Sequence, residues 1–188
     1  MIKRLLLSVL LIALISFSIP SVAFAASKSL GVTSMNQEKS QWCWVAAPQM
    51  IIHYHKNTKP TQCTLVKRGK NVKSCANEPG TLAQTKRALT QSGISNGGKT
   101  VSSAASYSTI KSNINNSRPV ILRKEWKENG KKNGVGHLSV IDGYNDKDNK
   151  IRTIRIRQSG TFKTWDKHAD LKSSSKFAWT HTIYNIKK

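Results

Sequence analysis

Three cysteines constrain this 188-residue chain, because at least one of them has no partner for a disulfide within the chain. Cys63 and Cys75 lie in a polar, turn-rich stretch, where a disulfide would hold together a loop of little hydrophobic content. Closing a loop of that length stabilises a folded chain by about 2–3 kcal/mol. Cys43 lies in a different setting, between Trp42 and Trp44. We therefore expect a Cys63–Cys75 disulfide and a free thiol at Cys43, if the chain folds in an oxidising compartment.

The first 25 residues have the features of a secretory signal peptide. Lys3 and Arg4 precede an unbroken apolar run from Leu5 to Ser16, and Ala23 and Ala25 occupy the small-residue positions of a signal-peptidase site. A retained membrane anchor is the alternative, but the apolar run is shorter than the roughly 20 residues that a span requires. We therefore expect cleavage after residue 25 and a secreted mature chain without a transmembrane segment.

The composition is strongly basic, with 31 Lys and Arg against nine Asp and Glu and a net charge of +22. Loss of the signal peptide removes two bases and no acid, so the net charge of the mature chain is +20. Charged residues make up only 21% of the sequence, which excludes a polyelectrolyte tail. The basic surplus predicts a surface that meets an anionic cell-envelope polymer. Because no recognition motif accompanies the charge, we expect no specific nucleic-acid partner.

Hydrophobic periodicity divides the chain into a helical first half and a strand-rich second half. Residues 26–40 are polar and predict a loosely packed lead-in. Helices are predicted at 43–55, 81–91 and 108–115, with Pro48 near the start of the first helix or at a kink. Strands are predicted at 120–126, 137–144, 151–157 and 177–186. This order indicates an α+β fold, with N-terminal helices packed on a C-terminal antiparallel sheet, in a single domain spanning residues 26–188.

Cys43 is the candidate nucleophile of the chain. A thiol reacts as the thiolate, and a helix N-terminus and a neighbouring imidazolium are two common means of lowering its pKa. Cys43 begins the first predicted helix, and His137 is the best of the five histidines to supply the imidazole. Gly136 precedes His137 and leaves room for a substrate or an indole beside the ring. His53 and His55 lie about 15 Å further along the helix of Cys43, which is too far to activate it.

A zinc site is the competing interpretation of several of these side chains. It would need His53, His55, Cys63 and Cys75 in tetrahedral reach of one ion. Two histidines separated by one residue diverge on a helix, and the spacing matches no common zinc pattern. We therefore expect no metal and no other cofactor.

Other groups of side chains have both structural and functional interpretations. Tryptophans line a core or a cleft wall more often than they bind a ligand, and we expect Trp44 to lie in the core. Arg152, Arg155 and Arg157 form a basic row along one predicted strand. That row is either a solvated sheet face or a docking surface for a phosphate-rich polymer.

Two blocks of the sequence resemble those of papain-like cysteine peptidases. The first is Gln37-Glu-Lys-Ser-Gln-Trp-Cys43-Trp44, and the second is Gly136-His137-Leu-Ser-Val-Ile-Asp-Gly143-Tyr144. The chain is similar to the compact bacterial branch that includes the avirulence-effector and bacteriocin-processing peptidases. The resemblance covers nearly the whole mature chain. It implies a papain-like fold and hydrolysis of peptide bonds in a protein or peptide substrate.

The resemblance also implies roles for individual residues. Cys43 would be the nucleophile, and His137 would be the general base that becomes the acid for the leaving amine. Gln37, six residues before the cysteine, would donate its side-chain amide to the oxyanion hole, with the Cys43 backbone N–H as the second donor.

The third catalytic position departs from the family pattern, which has Asn or Asp after the histidine strand. Here Gln158 continues the inward row of Ile154 and Ile156, so we expect Gln158 to orient His137. Asp142 has the opposite parity on its strand and is not assigned.

The leading prediction is a secreted, monomeric cysteine peptidase that works through a Cys-His acyl-enzyme. A cell-wall amidase or endopeptidase of the related Cys-His type is one alternative, since secretion and positive charge suit a polyanionic wall. Gln37 favours the peptidase over that alternative. A non-catalytic cationic binder on the same scaffold is the other alternative, and Gln158 at the orienting position favours it.

Overall fold

The computed structural model describes residues 26–188 of the protein. The predicted signal peptide, residues 1–25, lies outside the described residues. Within the described range the chain forms the predicted α+β fold, with five helices and a seven-stranded antiparallel sheet. No helix in residues 26–188 is long and apolar enough to cross a membrane.

Most of the helices precede most of the strands along the chain. The helices are α1 (Cys43–Lys56), α2 (Gln62–Lys70), α3 (Leu82–Thr90), α4 (Tyr107–Asn115) and α5 (His168–Lys172). The strands are β1 (Ser27–Ser29), β2 (Lys99–Val101), β3 (Val120–Glu128), β4 (Lys131–Asn145), β5 (Lys150–Arg155), β6 (Phe162–Lys167) and β7 (Phe177–Tyr184). The sheet order is β2-β7-β3-β4-β5-β6, and β1 pairs with the end of β4. Strand β4 therefore lies between β3 and β5, and α1 packs against it.

Helix α1 is the central helix of the fold, and every residue from Trp44 to Ile52 is buried. A helix buried on all sides has apolar residues around its whole circumference. The polar side chain in this segment, Gln49, donates a hydrogen bond to the Pro60 carbonyl (2.8 Å) and accepts one from Gln62 (3.0 Å). Its amide is therefore partnered in the core, as buried polar groups normally are.

Pro48 lies inside α1 rather than near its start. Proline has no N–H, so it cannot make the helical hydrogen bond to the carbonyl of Trp44, four residues earlier. The single hydroxyl hydrogen of Thr85 on α3 is shared between that carbonyl, at 3.3 Å, and the Thr81 carbonyl, at 3.0 Å. This contact partners the freed carbonyl and joins α3 to α1.

The lead-in to α1 is packed onto the sheet, so the prediction of a loose segment is wrong. Residues 27–29 form β1, and the N–H of Leu30 donates to the Asp142 carbonyl (2.7 Å). Leu30, Val32 and Met35 are buried. Isolated apolar residues in a polar segment produce no clear periodicity, but they anchor the segment when a sheet edge lies beside it.

The stretch around Cys63 forms a helix, where the sequence predicted a turn-rich loop. The Thr61 side chain accepts a backbone hydrogen bond and caps the start of α2. Leu65 and Val66 bury one side of this helix. Cys63 and Cys75 form the predicted disulfide, which connects α2 to the loop that follows it.

The four predicted strands are present as β3, β4, β5 and β7, with different bounds. Strand β4 begins at Lys131, because its first residues pair with the end of β3 beyond a β-bulge. Strand β5 ends at Arg155, two residues earlier than predicted. Strand β6 was not predicted, because it lies at the sheet edge and is mostly exposed, including Phe162 and Trp165.

The arginines of β5 are partnered within the fold. Arg152 donates two hydrogen bonds of 2.8 Å to Asp142, whose side chain is fully buried. Arg155 lies 2.9 Å from Asp166. Arg152 thus forms a bidentate ion pair inside the fold. For this residue, both predicted roles of the row, a solvated face and a docking surface for a polymer, are wrong. The Asp142 carboxylate is bound in this ion pair, so its role is structural.

Replacing Thr85 with Val removes the hydroxyl that partners the Trp44 carbonyl while keeping the shape of the side chain. We expect the free energy of unfolding to fall by about 1 kcal/mol, because a buried carbonyl loses its donor. Urea denaturation monitored by circular dichroism measures the change. As a matched control, Thr90→Val on the exposed side of the same helix should change the stability by less than about 0.5 kcal/mol.

The assignment to Pro48 is tested by a double-mutant cycle. Pro48→Ala restores an N–H that can bond to the Trp44 carbonyl, so Thr85→Val should cost less in that background. An equal cost in both backgrounds would contradict the proposed role of the Thr85 hydroxyl.

Candidate active site

Cys43 is the first residue of α1, at a helix start that no side chain caps. The N-cap residue is Trp42, and the first turn contains no acidic residue. The next three helices are each capped by a hydroxyl, from Thr61, Thr81 and Ser106. No carboxylate or hydroxyl neutralises the positive end of the α1 dipole. Its field therefore acts on the Cys43 side chain and on any group bound beside it.

Three backbone N–H groups surround the half-buried Cys43 thiol, those of Cys43, Trp44 and Leu138. Burial raises the pKa of the thiol above its ordinary value, and these N–H groups and the nearby Arg123 guanidinium oppose that rise. Burial has the larger effect, so the resting sulfur is a protonated thiol. Its activation requires a base.

The imidazole of His137 is held in one tautomer by a backbone contact. Its Nε2 lies 2.9 Å from the carbonyl oxygen of Ile156. A carbonyl only accepts hydrogen bonds, so Nε2 carries the proton and Nδ1 carries the free lone pair. Desolvation lowers the pKa of His137, with further lowering by the Lys124 and Arg155 charges and a partial opposing effect of the Ile156 carbonyl. The ring is therefore a neutral base.

Gln158 makes no hydrogen bond to this imidazole in the described residues. Because β5 ends at Arg155, Gln158 lies in an exposed turn, and its side chain makes no hydrogen bond within residues 26–188. The Ile156 carbonyl, two residues earlier, occupies the contact that was predicted for Gln158.

The backbone brings Cys43 and His137 together, and their side chains line different cavities. Leu138, whose N–H lies at the thiol, is the residue next to His137 on β4. Successive residues of a strand point to opposite faces. Cys43 lines a cavity with Leu138, and His137 lines a second cavity with Ser139. In the described part of the chain, no hydrogen bond joins the thiol to the imidazole.

Gln37 is buried beside the loop that leads into α1, and its amide is engaged there. Its Nε2 donates to the carbonyls of Lys39 (3.0 Å) and Ser40 (2.8 Å). Both amide hydrogens are thus bound to loop carbonyls, and Oε1 is buried without a partner in the described residues. The backbone N–H of Gln37 donates to the Arg157 carbonyl (2.8 Å), which ties the loop to the segment that follows β5.

The cavity beside Cys43 has a volume of about 410 Å³. Pro79 and Gly80, at the end of the loop of residues 76–80, form part of its wall, and the two tryptophans that flank the cysteine hold this loop in place. The indole N–H of Trp42 donates to the Ala76 carbonyl and that of Trp44 to the Glu78 carbonyl, each at 3.0 Å. Gly80 lies against the Trp44 ring, since a Cβ there would come within 2.1 Å of it. Trp44 is buried, as predicted.

Arg123 and His181 line the Cys43 cavity and were not predicted. Arg123 donates to Thr180 (2.9 Å) and to Glu125 (2.8 Å), which fixes its guanidinium over Gly136. A Cβ on Gly136 would lie 2.6 Å from that guanidinium, so the glycine makes room for Arg123 rather than for a substrate. For Arg123, a charged residue directly after the apolar run 120–122 was the signal available in the sequence.

The proposed zinc alternative does not occur in this fold. Cys63 and Cys75 are bonded to each other. Residues 26–188 contain no group of three or more His, Cys, Asp or Glu side chains that could hold a metal ion.

The raised pKa of Cys43 predicts how the thiol reacts with iodoacetamide. Because the thiolate is the reactive form, the alkylation rate should increase as the pH rises through 9.0 and beyond, with little reaction at pH 5 to 6. Mass spectrometry of the alkylated chain measures the rate, and Cys43→Ala is the control. A fast, pH-independent rate between pH 5 and 8 would indicate a resting thiolate–imidazolium pair and would contradict the prediction.

The fold and the sequence of the chain were compared with those of known proteins. Xylellain, a cysteine protease from Xylella fastidiosa, has a similar fold, with a TM-score of 0.53 over 86% of each chain and 8% sequence identity. At that identity the likeness concerns the fold alone. No curated protein sequence matches the chain significantly. The sequence profile of the Peptidase_C39-like family matches residues 29–183, which is most of the chain. The protein therefore belongs to the Peptidase_C39-like family and is a papain-like cysteine peptidase.

Proposed function

We propose that the mature chain hydrolyses peptide bonds through an acyl-enzyme on Cys43, with His137 as the base. The observation that carries the proposal is the uncapped start of α1, where Cys43 lies against the N–H of Leu138, one residue from His137. A protonated thiol and a neutral imidazole are the two components of general-base activation, and rotation of the His137 side chain toward the Leu138 side of β4 would bring them together on substrate binding.

The reaction follows from the protonation states of the two groups. The His137 Nδ1 takes the thiol proton as the sulfur attacks the substrate carbonyl carbon. The resulting imidazolium then gives that proton to the leaving amine, and the acyl group stays on the sulfur as a thioester. Water, deprotonated by the same nitrogen, hydrolyses the thioester and restores the thiol.

Two donors are proposed for the oxyanion of the tetrahedral intermediate. The backbone N–H of Cys43 belongs to the first turn of α1, which no side chain caps. Gln37 supplies the second donor when its amide exchanges the Ser40 carbonyl for the oxyanion. One such donor contributes about 3–4 kcal/mol of transition-state stabilisation.

Export is proposed from the leader, the disulfide and the charge. Residues 1–25 act as a cleaved signal peptide, and residues 26–188 form the mature domain. The Cys63–Cys75 disulfide suits an oxidising compartment. The basic surplus keeps the enzyme near an anionic cell envelope.

The choice of base is tested by comparing three alanine variants on an unfolded protein substrate. Cys43→Ala and His137→Ala should each lower kcat/KM by at least about 1,000-fold, because each removes a reacting group. His181→Ala is the matched control, since His181 lines the Cys43 cavity. Loss of activity in His181→Ala with retention in His137→Ala would transfer the role of base to His181. Equal rates for the unmodified chain and Cys43→Ala would contradict the proposed peptidase mechanism.

The lowered pKa of His137 predicts the acidic limit of activity. The neutral imidazole is the base, and a lowered pKa keeps it neutral as the pH falls. We therefore expect the acidic limb of kcat/KM to have its midpoint below pH 6.5. A pH–rate profile measures this limb, and a midpoint above 6.5 would contradict the assignment.

A further inference from the structure

The cavity that His137 lines has a volume of about 300 Å³ and lies where β3, β4 and β5 meet. Two aromatic side chains, Trp126 and Phe162, form part of its wall and are partly exposed. The remaining wall is rich in cations, namely Lys124, Arg155 and Arg157. An open cavity with aromatic and cationic walls has the composition of a binding site for an anionic organic group.

Lys124 is the unusual residue of this cavity. It is only 3% exposed, and its Nζ has no hydrogen-bond partner in residues 26–188. The Phe177 ring lies 3.8 Å from Nζ and attracts the ammonium, but it accepts no conventional hydrogen bond. A buried ammonium without an acceptor is costly, so a carboxylate that entered the cavity beside Lys124 would supply the acceptor that its Nζ lacks. Burial lowers the pKa of Lys124 to about 8.

The other charges around Lys124 leave the cavity positive. Asp166 is the acid near it, and that carboxylate is already bound by Arg155 at 2.9 Å. Arg157 lies over the Phe162 ring at 4.7 Å and makes no ion pair in the described chain. The carboxylate of Asp166 therefore does not neutralise Lys124 and Arg157 together, and an added anion would be favoured.

The position of Lys124 relative to His137 indicates which part of a substrate it meets. The two residues are direct partners in the β3–β4 register, so their side chains share one face of the sheet. Under the proposed function, His137 protonates the leaving amine, so the leaving half of the substrate extends from the Cys43 cavity toward the cavity that His137 lines. We propose that Lys124 binds a carboxylate on the leaving half of the substrate, so that the peptidase prefers substrates that are acidic there.

A carboxylate at this point has two sources, an acidic side chain or the free α-carboxylate of a chain end. Binding to the Cys43→Ala variant distinguishes them without turnover. Three probes suffice: N-acetylglutamate α-amide, N-acetylglutamine with a free α-carboxylate, and the neutral N-acetylglutamine amide. We expect at least one carboxylate probe to bind tenfold or more tightly than the neutral probe, measured by isothermal titration calorimetry. Equal binding of all three overturns the inference.

The role of Lys124 is tested by substitution in the same Cys43→Ala background. Lys124→Met should abolish the preference for the carboxylate probe, and Lys124→Arg should retain it. Lys99→Met, which removes an exposed charge on β2, should leave the preference unchanged. Loss of the preference in Lys99→Met to the same extent would indicate a general charge effect and overturn the inference.

The unmodified chain provides a test that does not depend on folding of a variant. Affinity for the carboxylate probe should fall as the pH rises through about 8, where Lys124 loses its charge. The groups facing Lys124 are His137, Arg155, Arg157 and Asp166, and of these the imidazole titrates below its ordinary value rather than near 8. A constant affinity from pH 7 to 9 overturns the inference.

Turnover separates this inference from the proposed function on which it rests. Paired peptides that carry Glu or Gln after the cleaved bond should differ in kcat/KM in favour of Glu, and Lys124→Met should remove the difference. Carboxylate binding that depends on Lys124 without any hydrolysis contradicts the catalytic assignment and supports the anion site. Hydrolysis with no preference and no carboxylate binding overturns the anion site alone.

Discussion

The contact between the first turn of α1 and the backbone of β4 at Leu138 determines the geometry of the site. It joins the only free cysteine of the chain to the strand that carries His137. Both partners are held from behind, α1 by burial on all sides and β4 by pairing with β3 and β5. A functional group held by rigid elements keeps its position better than one held by a loop.

The sequence around Cys43 serves packing and chemistry with the same residues. Trp42 takes the N-cap position, where a hydroxyl or carboxylate would be more stabilising for the helix. The two indoles instead reach across to the loop of residues 76–80 and bind its carbonyls, and the Cys63–Cys75 disulfide holds the start of that loop. Helix α1 therefore lacks a side-chain cap at its N-terminus, where its N–H groups face the Cys43 sulfur. The loop that closes the cavity is stabilised by the same residues.

Much of this arrangement could be predicted from the sequence, because it depends on local patterns. The helix at Cys43, the strand at His137 and the disulfide follow from periodicity, spacing and the odd number of cysteines. The oxyanion role of Gln37 stays a prediction, since its amide contacts depend on the conformation of one loop. The interpretation of Gln158 extended a two-residue alternation past the end of β5, where the backbone turns into solvent. The surroundings of Arg123 and Lys124 could not be predicted. They are set by the pairing of β3 with strands far along the chain, and periodicity contains no information on that pairing.

The use of the Ile156 carbonyl to hold His137 affects how the enzyme tolerates mutation. Every amino acid carries a carbonyl, so no substitution at position 156 deletes the acceptor, whereas an Asn or Asp in that role is lost by one codon change. The contact is instead sensitive to the register of the β4–β5 hairpin. Any shift of one strand along the other moves the Ile156 carbonyl away from the ring. The tautomer of His137 therefore depends on the stability of the hairpin, and distant substitutions that loosen the hairpin would free the ring without any change at the site itself.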